Sequence, residues 1–549
     1  MVYTAYEKGS NLTEEVKIPI FVRKATGLTR EVSSFGAYMI PWASMAGSGI
    51  TVFAVQSIYL YPQANLALGF IIAGLPMLFN AMAIVILAIA MPRSGGGYVW
   101  GSRIVNPFLG WFSPGWMFFV TALLGLGLLL WVSSGTIGTI LSVVGNVMHN
   151  PGLISFAITL STVPWARMTF AVLYNLFLFA IGVLGTRKVL YATYIAWAVN
   201  VVGSLTSIGL YYTHNPVSAQ ASWNAVWGTG AWEQVIDMSN KYGFSSYVAG
   251  QTKGPMQDTV LITTDLFWAY TGWETLGYVA GEVRSPRSSF LYWYMLGSVS
   301  TMAFYTIAGF GPHYAYQEFV GRYVFLWKNY QAGNIASADS AAMMTPIMFA
   351  CQPLFSASLS TNAAVQGAAS IWLYPATCLF LTYFSTPRTL MSMAFDRMLP
   401  ERLADVNERW HTPHISCAVL VVIGWVEAFL VAFGFDIFAT AANLSFFTAF
   451  YCILFSWAAM ILPYERPEIW ALGLKKRILG IPEGTLIGVI GSAFLFEYWF
   501  LGCLGMSLEA IFVTILWMIA GIIIYVYYLH KNQARGVPIK ETFREIPPL

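Results

Sequence analysis

The chain is long, apolar and sparsely charged. It has 549 residues, of which 57% are hydrophobic and 10% charged, and its formal net charge at pH 7 is +3. With a mean hydropathy of +0.63, this composition excludes an ordinary soluble protein, in which about 25% of residues are charged. The basic residues form no patch interleaved with aromatics, so no nucleic-acid partner is expected. We therefore predict an all-α polytopic membrane protein that has the lipid bilayer as a partner.

A polar first segment is followed by twelve apolar runs. Residues 1–32 carry mixed charges and no apolar run, which predicts a cytoplasmic N-terminal tail. Crossing the hydrocarbon core takes about 20 residues of helix, and the later runs are long enough to do so. They are residues 35–60, 66–91, 111–142, 168–185, 189–212, 258–281, 289–312, 364–386, 414–434, 437–462, 484–503 and 507–529. The sequence therefore predicts 12 transmembrane helices.

The basic residues predict the orientation of these helices. With the N-terminus in the cytoplasm, 23 of the 28 Lys and Arg residues fall in cytoplasmic segments. The other five lie in outer loops: Arg167, Lys241, Lys253, Arg322 and Lys328. This asymmetry obeys the positive-inside rule, and it places all 28 outside the apolar runs. We predict a protein of the cytoplasmic membrane with both termini in the cytoplasm.

The first apolar run is interrupted near its middle by Gly47-Ser48-Gly49. In hydrocarbon every backbone N–H and C=O group needs an internal partner, so such a weak point is tolerated only where it lines a cavity or is buried by protein. Helix N–H groups without a Cβ in the way bind anions, and the Ser48 hydroxyl adds a donor. This break is therefore a candidate site for a carboxylate.

The sixth run carries a second interruption. Gly272 lies between bulky aromatics, and the carboxylate of Glu274 follows two residues later. A charge inside the membrane is costly and marks a functional-site hypothesis; the alternative is that Gly272 packs against a neighbouring helix and Glu274 forms structural hydrogen bonds. The two breaks open two groups of five runs. Paired broken helices at corresponding positions predict the binding site of a transporter.

The segments between the apolar runs are expected to form connecting loops and short helices. We expect no soluble domain among them. Three consecutive glycines in PRSGGGYVWGSR, residues 92–103, predict an interfacial hairpin without regular helix. The long outer segments 213–257 and 313–363 contain several tryptophans and predict short helices that cap the outer face.

Signs of catalysis or metal binding are missing from the sequence. The five cysteines have no CxxC spacing and read as small core residues. His411 and His414 are separated by a proline on a cytoplasmic loop, which does not suit a metal site. No phosphate-binding G-x-x-x-x-G-K-[ST] motif occurs, and no nucleophile, base and orienting group converge. We predict that the protein is not an enzyme and needs no cofactor.

Several motifs together resemble one family. They are GLTREVSS before the first run, MAGSGI within it, PRSGGGYVWGSR after the second, AYTGWETLGYVAGEVRSPR at the sixth, and STPRTLMSMAFDRMLPERLADVNERWHTP after the eighth. In order and spacing, they are similar to those of the amino acid, polyamine and organocation transporter superfamily, and within it to amino acid permeases. The resemblance covers residues 27–413. One departure is a Thr-Pro insertion before Arg388 in the last motif.

The resemblance implies a LeuT-type fold of two inverted five-helix repeats, in which helices 1 and 6 are broken, followed by two peripheral helices. The predicted parts of the chain follow from it. They are the tail 1–32, the first repeat 33–212, the outer loop 213–257, the second repeat 258–462, the segment 463–530 with the last two helices, and the cytoplasmic tail 531–549.

The resemblance also implies residue roles. Gly47-Ser48-Gly49 matches the break that binds the substrate carboxylate, Trp268 an aromatic that gates the site from outside, and Thr271 a position whose carbonyl faces the substrate amine. Aromatic faces attract ammonium groups, which adds Tyr270 and Trp273 as candidates. An aromatic row in a membrane helix is, however, commonly a packing surface.

The implied function is secondary active transport of amino acids or related amines by alternating access, linked to protons. Some proton-coupled relatives carry a lysine in the fifth helix where this chain has Asn200, and an amide carries no proton. Glu274 is then the candidate for proton linkage. The alternatives are substrate exchange, or sodium-coupled transport of organic cations or polyamines with an ion near Thr382 and Ser385. A channel or a sensor is disfavoured because the sequence has neither a repeated filter element nor a soluble signalling domain.

Overall fold

Helix occupies each of the twelve predicted runs in the computed structural model, which describes residues 20–47, 49–371, 374–432 and 441–548. Ser48 and residues 1–19 of the predicted tail lie outside the described residues. The main helices are α1 (Ser34–Met45), α2 (Leu66–Ala90), α3 (Phe118–Val147), α4 (Pro164–Val183), α5 (Thr186–Thr213), α6 (Pro255–Tyr270), α7 (Met295–Tyr316), α8 (Tyr374–Phe395), α9 (His414–Ala432), α10 (Ala441–Glu465), α11 (Glu483–Gly505) and α12 (Leu508–Ala534).

Shorter helical segments continue or connect these helices. They are Gly49–Phe53, Ala54–Gln56, Ser57–Tyr59, Gly96–Trp100, Gly101–Val105, Pro107–Gly110, Trp111–Met117, Pro151–Thr162, Pro216–Trp227, Ala231–Lys241, Phe244–Gln251, Thr275–Tyr278, Ala280–Glu282, Pro286–Ser288, Ser289–Tyr294, Glu318–Gln331, Ser337–Ala341, Gln352–Ala357, Ala363–Ser370, Glu401–Ala404, Pro467–Trp470 and Ile539–Thr542. One two-stranded antiparallel hairpin, β1 (Arg477–Ile478) with β2 (Ile481–Pro482), precedes α11. The short helices predicted for the outer segments are therefore confirmed as helices.

Eight of the described helices are long and apolar enough to cross a membrane, and a ninth span arises if α1 and the segment Gly49–Tyr59, bent by 42°, are taken together. The predicted runs that fall outside this set are 258–281, 289–312 and 364–386. In the first of them, α6 ends after only 16 residues because the chain breaks at Thr271. The protein is thus a helical membrane protein, and the count of 12 spans stays a prediction.

The helices differ in how deeply they are buried. In the most apolar stretch of Pro107–Val147, which includes α3, 89% of the residues are buried, compared with 22% in α12. Large apolar residues on α11 and α12, such as Phe496 and Ile523, are exposed. Exposed apolar side chains on a spanning helix suit contact with lipid. That α11 and α12 are a peripheral pair stays a prediction, because α4 is as little buried as α11.

The glycine-rich hairpin is helical where no regular helix was predicted. Gly95 has a left-handed φ of 83°, and the helix Gly96–Trp100 starts directly after it. A Cβ on Gly96 would lie 2.0 Å from the carbonyl oxygen of Gly277, and a Cβ on Gly97 would lie 2.1 Å from the ring of Phe455. The prediction was wrong because close packing outweighs the helix penalty of about 1 kcal/mol per glycine.

The segments predicted to be cytoplasmic lie together on one face. Arg23 in the N-terminal tail pairs with Asp405 at 2.7 Å, and the N–H of Val32 donates to the carbonyl of Glu282. The C-terminal tail contacts the same face, where Arg93 Nε donates to the carbonyl of Pro547 at 2.6 Å. We call this the tail-bearing face. That it faces the cytoplasm stays a prediction.

Arg388 follows the predicted run 364–386, but the helix continues beyond the end of that run. This residue lies within α8 and is fully buried. Its Nε donates to Glu282 Oε1 at 2.9 Å, and one terminal nitrogen donates to Thr186 Oγ1 at 3.0 Å. A buried arginine is tolerated here because a carboxylate, equally buried, neutralises it; their separation in the chain hid this pairing from sequence reasoning.

Candidate functional site

A cavity lies between the two broken helices. The space within it, counted together with adjoining open solvent, is about 650 Å³. Seven of the predicted site residues line it: Gly47, Gly49, Trp268, Thr271, Glu274, Thr382 and Ser385. Residues far apart in the sequence, from the breaks after α1 and α6 and from α8, thus meet at one place.

The two breaks are in direct contact. Gly272 adopts a φ of 114°, which L side chains rarely adopt, and a Cβ there would lie 2.8 Å from the carbonyl oxygen of Ser44. Only glycine therefore fits at this position. On the other side, a Cβ on Gly49 would lie 2.2 Å from the Cα of Ala269 in α6. The glycines allow the interrupted backbones to touch, and so bring their polar groups to a shared cavity.

Gly47 and Gly49 differ in what surrounds them. The nearest atom to a Cβ on Gly47 would be the Cys378 sulfur at 3.7 Å, an ordinary contact. Gly49 is confined by the backbone of α6, as described above. Ser48 between them lies outside the described residues, so its predicted hydroxyl contact stays a prediction. Gly49 is therefore needed for packing, whereas Gly47 has room and faces the cavity.

Glu274 holds the second break by hydrogen bonds. The Tyr451 hydroxyl donates to its Oε1 at 2.6 Å, and the N–H of Gly272 donates to its Oε2 at 3.1 Å. The side chain is buried and lines the cavity. Both carboxylate oxygens thus have a donor, as the structural alternative requires. The same position next to the cavity is also what proton linkage requires.

Trp268 is buried at the cavity, on the last turn of α6. The Cβ position of Gly125 in α3 is 4.0 Å from its six-membered ring. A glycine opposite the indole leaves space into which a ring can move. This geometry suits an aromatic residue that covers a ligand.

Two of the predicted aromatic residues lie away from the cavity. The Tyr270 hydroxyl donates to the carbonyl of Phe70 at 2.9 Å, and the Trp273 indole N–H donates to Asn80 Oδ1 at 3.0 Å. Both side chains are fully buried against α2. They are adjacent to the break in sequence, but the turn directs them into packing, so we leave them out of the proposed site.

The eighth helix contributes hydroxyl groups. Thr382 and Ser385 line the cavity and donate to main-chain carbonyls one turn earlier, at 3.1 and 3.0 Å. Thr386 Oγ1 and Ser44 Oγ also belong to the lining, and both are buried without a hydrogen-bond partner among the described residues. Unpartnered buried hydroxyls cost stability, so this corner of the cavity can accept a polar ligand or an ion.

Sequence reasoning missed the contributions of α3 and α10. Phe118, Thr121, Ala122, Gly125 and Leu129 of α3 and Tyr451 of α10 line the cavity. The residues of α3 recur at helical spacing and so share one face. That spacing is ordinary in any buried helix, and no charge or break marks it.

Asn200, at the place of the lysine found in some relatives, joins a polar link to the first break. Its Nδ2 donates to Thr377 Oγ1 at 3.4 Å, and that hydroxyl donates to the carbonyl of Ala46 at 3.2 Å. Asn200 is fully buried. The asparagine therefore connects α5 and α8 to the end of α1 without a titratable group.

Two interrupted helices that touch at an internal cavity, inside a bundle of apolar helices, are the arrangement that the resemblance to amino acid permeases predicts. The family model described as amino acid permease matches residues 32–528, and the chain belongs to this family. Its members are transporters, so the protein is not an enzyme.

Two known proteins are similar to this chain. The branched-chain amino acid permease BcaP of Bacillus subtilis (strain 168) is 22% identical over 518 residues, covering 92% of this chain and 94% of that protein. The crystal structure of MhsT in complex with L-phenylalanine superposes with a TM-score of 0.52 at 11% identity, over 86% of this chain and 99% of that one. The second similarity supports the fold alone.

Proposed function

We propose that this protein is a secondary transporter that moves amino acids across the cytoplasmic membrane by alternating access. The observation that carries the proposal is the contact of Gly272 with Ser44, which joins two broken helices at one cavity. Broken helices supply polar backbone groups inside the membrane, and their half-helices can tilt to expose the site to either side. Both termini lie in the cytoplasm in this proposal.

The ends of the substrate bind at different breaks. Its carboxylate binds at Gly47-Ser48-Gly49, where N–H groups begin the second half of the first span. Its ammonium group lies at the carbonyl of Thr271 and under the indole of Trp268, since carbonyl oxygens and ring faces attract cations. The proposed repeats are residues 33–212 and 258–462, each beginning with one of these broken helices.

The side chain of the substrate is apolar. Phe118, Ala122 and Leu129 supply an apolar wall on α3. BcaP, the Bacillus subtilis relative, is a permease for branched-chain amino acids. Branched aliphatic side chains gain free energy by leaving water for such a wall, so leucine, isoleucine and valine are the substrates to test first.

A proton at Glu274 drives the transport in this proposal. The carboxylate contacts the N–H of Gly272, so its protonation would weaken a hydrogen bond that holds the break. A sodium ion is the second candidate, favoured by the unpartnered hydroxyls of Ser44 and Thr386 beside Thr382 and Ser385. Uncoupled substrate exchange is the third.

Uptake into liposomes tests the function. The purified protein is reconstituted and given labelled leucine, with spermidine as a polyamine comparison. Saturable leucine uptake that unlabelled isoleucine and valine inhibit is expected. Single-channel currents, or no competition by any amino acid, would contradict the proposal. Imposed proton and sodium gradients, and preloading with substrate, separate the three coupling modes.

Trp268→Leu is expected to weaken substrate binding by about 0.5 to 2 kcal/mol, roughly 2- to 30-fold, because it removes the ring face that contacts the ammonium group. Trp268→Phe keeps a ring and should lose less. Binding is measured by scintillation proximity with labelled leucine. Trp293→Leu, a change at an exposed tryptophan on the segment before α7, is the control. Equal affinity of Trp268→Leu and the wild type would remove this residue from the site.

Glu274→Gln is expected to preserve folding and leucine binding but to flatten the pH dependence of transport between about 4 and 8. The glutamine keeps the shape of the side chain and removes the titratable group. Uptake is measured in liposomes at varied outside pH and fixed leucine, with and without sodium.

Glu427→Gln is the matched control for this experiment. Glu427 is also buried in a membrane helix, but it packs against Gly127 of α3 and does not line the cavity. Its variant should retain the wild-type pH profile. If the pH profile of transport by Glu274→Gln overlays that of the wild type, proton coupling does not depend on Glu274. A strict requirement for sodium would instead favour an ion site at Thr382 and Ser385.

A further inference from the structure

The loop between α10 and α11 carries a small projecting hairpin. Arg477 pairs with Pro482 and Ile478 with Ile481, which leaves Leu479 and Gly480 as the two turn residues. Their φ angles are 52° and 81°. Such a turn favours Asn-Gly or Gly-Gly, because residues other than glycine, asparagine and aspartate rarely adopt positive φ. A leucine at the tip is therefore unfavourable for the turn itself.

The tip leucine projects away from the part of the chain that the structure describes. Leu479 is 97% exposed, and three apolar neighbours in the same loop are also largely exposed: Leu472 at 67%, Ile478 at 48% and Ile481 at 42%. An exposed apolar cluster marks an interaction site. Local strain that persists points to function, so the exposed leucine is a candidate for contact with an apolar surface.

The same loop carries three consecutive cations. Lys475, Lys476 and Arg477 are all exposed. None of them takes part in the ion pairs found among the described residues. Arg477 instead donates to the carbonyl of Gly480 within the hairpin. No ion pair within the described ranges neutralises this cluster of positive charge, which is complementary to an anionic surface.

The position of the hairpin identifies that surface. Both flanking helices are apolar enough to span the membrane, so the loop between them starts and ends at the bilayer surface. Its base is fixed, because the N–H of Glu483 donates to the carbonyl of Lys476 and a Cβ on Gly473 would contact Ala90 at the end of α2. A terminal nitrogen of the neighbouring Arg466 donates to the main-chain carbonyl of Arg544 at 3.2 Å, which places the loop on the tail-bearing face.

We propose that residues 471–482 form a membrane-surface anchor that binds anionic phospholipids. Leu472, Ile478, Leu479 and Ile481 enter the boundary between headgroups and acyl chains, and the three cations contact the lipid phosphates. Apolar insertion together with a basic cluster is the combination that holds peripheral segments on anionic leaflets. The proposal does not depend on which substrate is transported.

A fluorophore at the tip tests the proposal directly. Leu479→Cys in the full-length protein is labelled with an environment-sensitive NBD group, and the unmodified chain is labelled in parallel to subtract its five native cysteines. The protein is reconstituted into phosphatidylcholine vesicles with and without phosphatidylglycerol. With phosphatidylglycerol, a blue-shifted emission and quenching by lipids with a nitroxide on the acyl chain are expected. High salt should reduce both effects.

Two variants separate the apolar and basic contributions. Replacing Lys475, Lys476 and Arg477 together by glutamine in the labelled protein should abolish the dependence on phosphatidylglycerol. Label at Ala338→Cys, an exposed position in the outer segment, should show no dependence on anionic lipid. Emission from Leu479→Cys that stays water-like in both kinds of vesicle would overturn the proposal. A blue shift that depends on the number of protein copies per vesicle, and not on the lipid charge, would also overturn the proposal, because a second copy of the chain would then cover the tip.

The substitution Leu479→Asn distinguishes an anchor from a purely structural turn. Asparagine tolerates positive φ better than leucine, so the hairpin should remain intact and the melting temperature in detergent should not fall. The stabilisation that phosphatidylglycerol gives to the wild-type protein should be lost or clearly reduced. A variant that keeps the full lipid-dependent shift in melting temperature would overturn the role of the tip.

Discussion

The substitution Arg388→Met is expected to lower the free energy of unfolding by about 3 to 5 kcal/mol, because it leaves a buried carboxylate without its cation. Arg388 and Glu282 are both fully buried, and the Thr186 hydroxyl donates to Glu282 Oε2 at 2.5 Å. These contacts join α5, α8 and the end of the sixth span near the tail-bearing face. Thermal unfolding of the purified protein in detergent, without ligand, measures the loss.

The double variant Arg388→Met with Glu282→Met is the matched control. Apolar residues in place of both charges leave no unpaired buried ion, so this variant should be more stable than Arg388→Met alone. Lys241→Met, at an exposed ion pair with Asp339, should change little because water screens such pairs. Melting of Arg388→Met at the wild-type temperature would show that the buried pair does not stabilise this region.

The two glycines of the first break are expected to respond differently to the same methyl group. Gly49→Ala places a Cβ 2.2 Å from the Cα of Ala269, so α1 and α6 must move apart. Overpacking of this kind costs about 1 to 3 kcal/mol or more. A lower melting temperature and a low yield of folded protein are expected. Gly47→Ala has room for its Cβ, and its melting temperature should stay close to that of the wild type.

Gly47→Ala isolates the effect on binding. Its methyl group lines the cavity at the proposed carboxylate site, and losing a hydrogen bond to a charged group costs about 1.5 to 3 kcal/mol. Leucine binding should therefore fall roughly 10- to 100-fold while the fold is preserved. Gly367→Ala, at a position with no atom within 4 Å of a Cβ, controls for the change of residue type. Unchanged leucine affinity in Gly47→Ala would remove this break from the site.

Both breaks and the membrane class were visible in the sequence because each leaves an energetic signature there. Apolar runs of this length have no stable place in water, and glycines or a carboxylate within them are unfavourable unless something else requires them. Gly47, Gly49, Gly272 and Glu274 could therefore be identified one segment at a time. All four line a single cavity, and their role in binding or coupling stays a prediction.

The other residues that line the cavity could not be predicted from local sequence, because contacts between distant helices bring them there. The lining from α3 consists of Phe118 and small or apolar residues that any buried helix contains. Tyr270 and Trp273 are adjacent to the break, but the geometry of the turn sends their side chains to α2. Glycine is required at Gly96 because the neighbouring chain approaches too closely for any side chain.

The sequence by itself determined that the chain is a helical membrane protein and where two of its apolar segments break, because transfer to hydrocarbon and backbone hydrogen bonding act on each segment separately. Only the tertiary structure decided which side chains face the cavity and that Arg388 is paired with Glu282, 106 residues earlier in the chain. Those outcomes depend on the packing of helices that are distant in sequence, where steric fit and the neutralisation of buried charge select one arrangement.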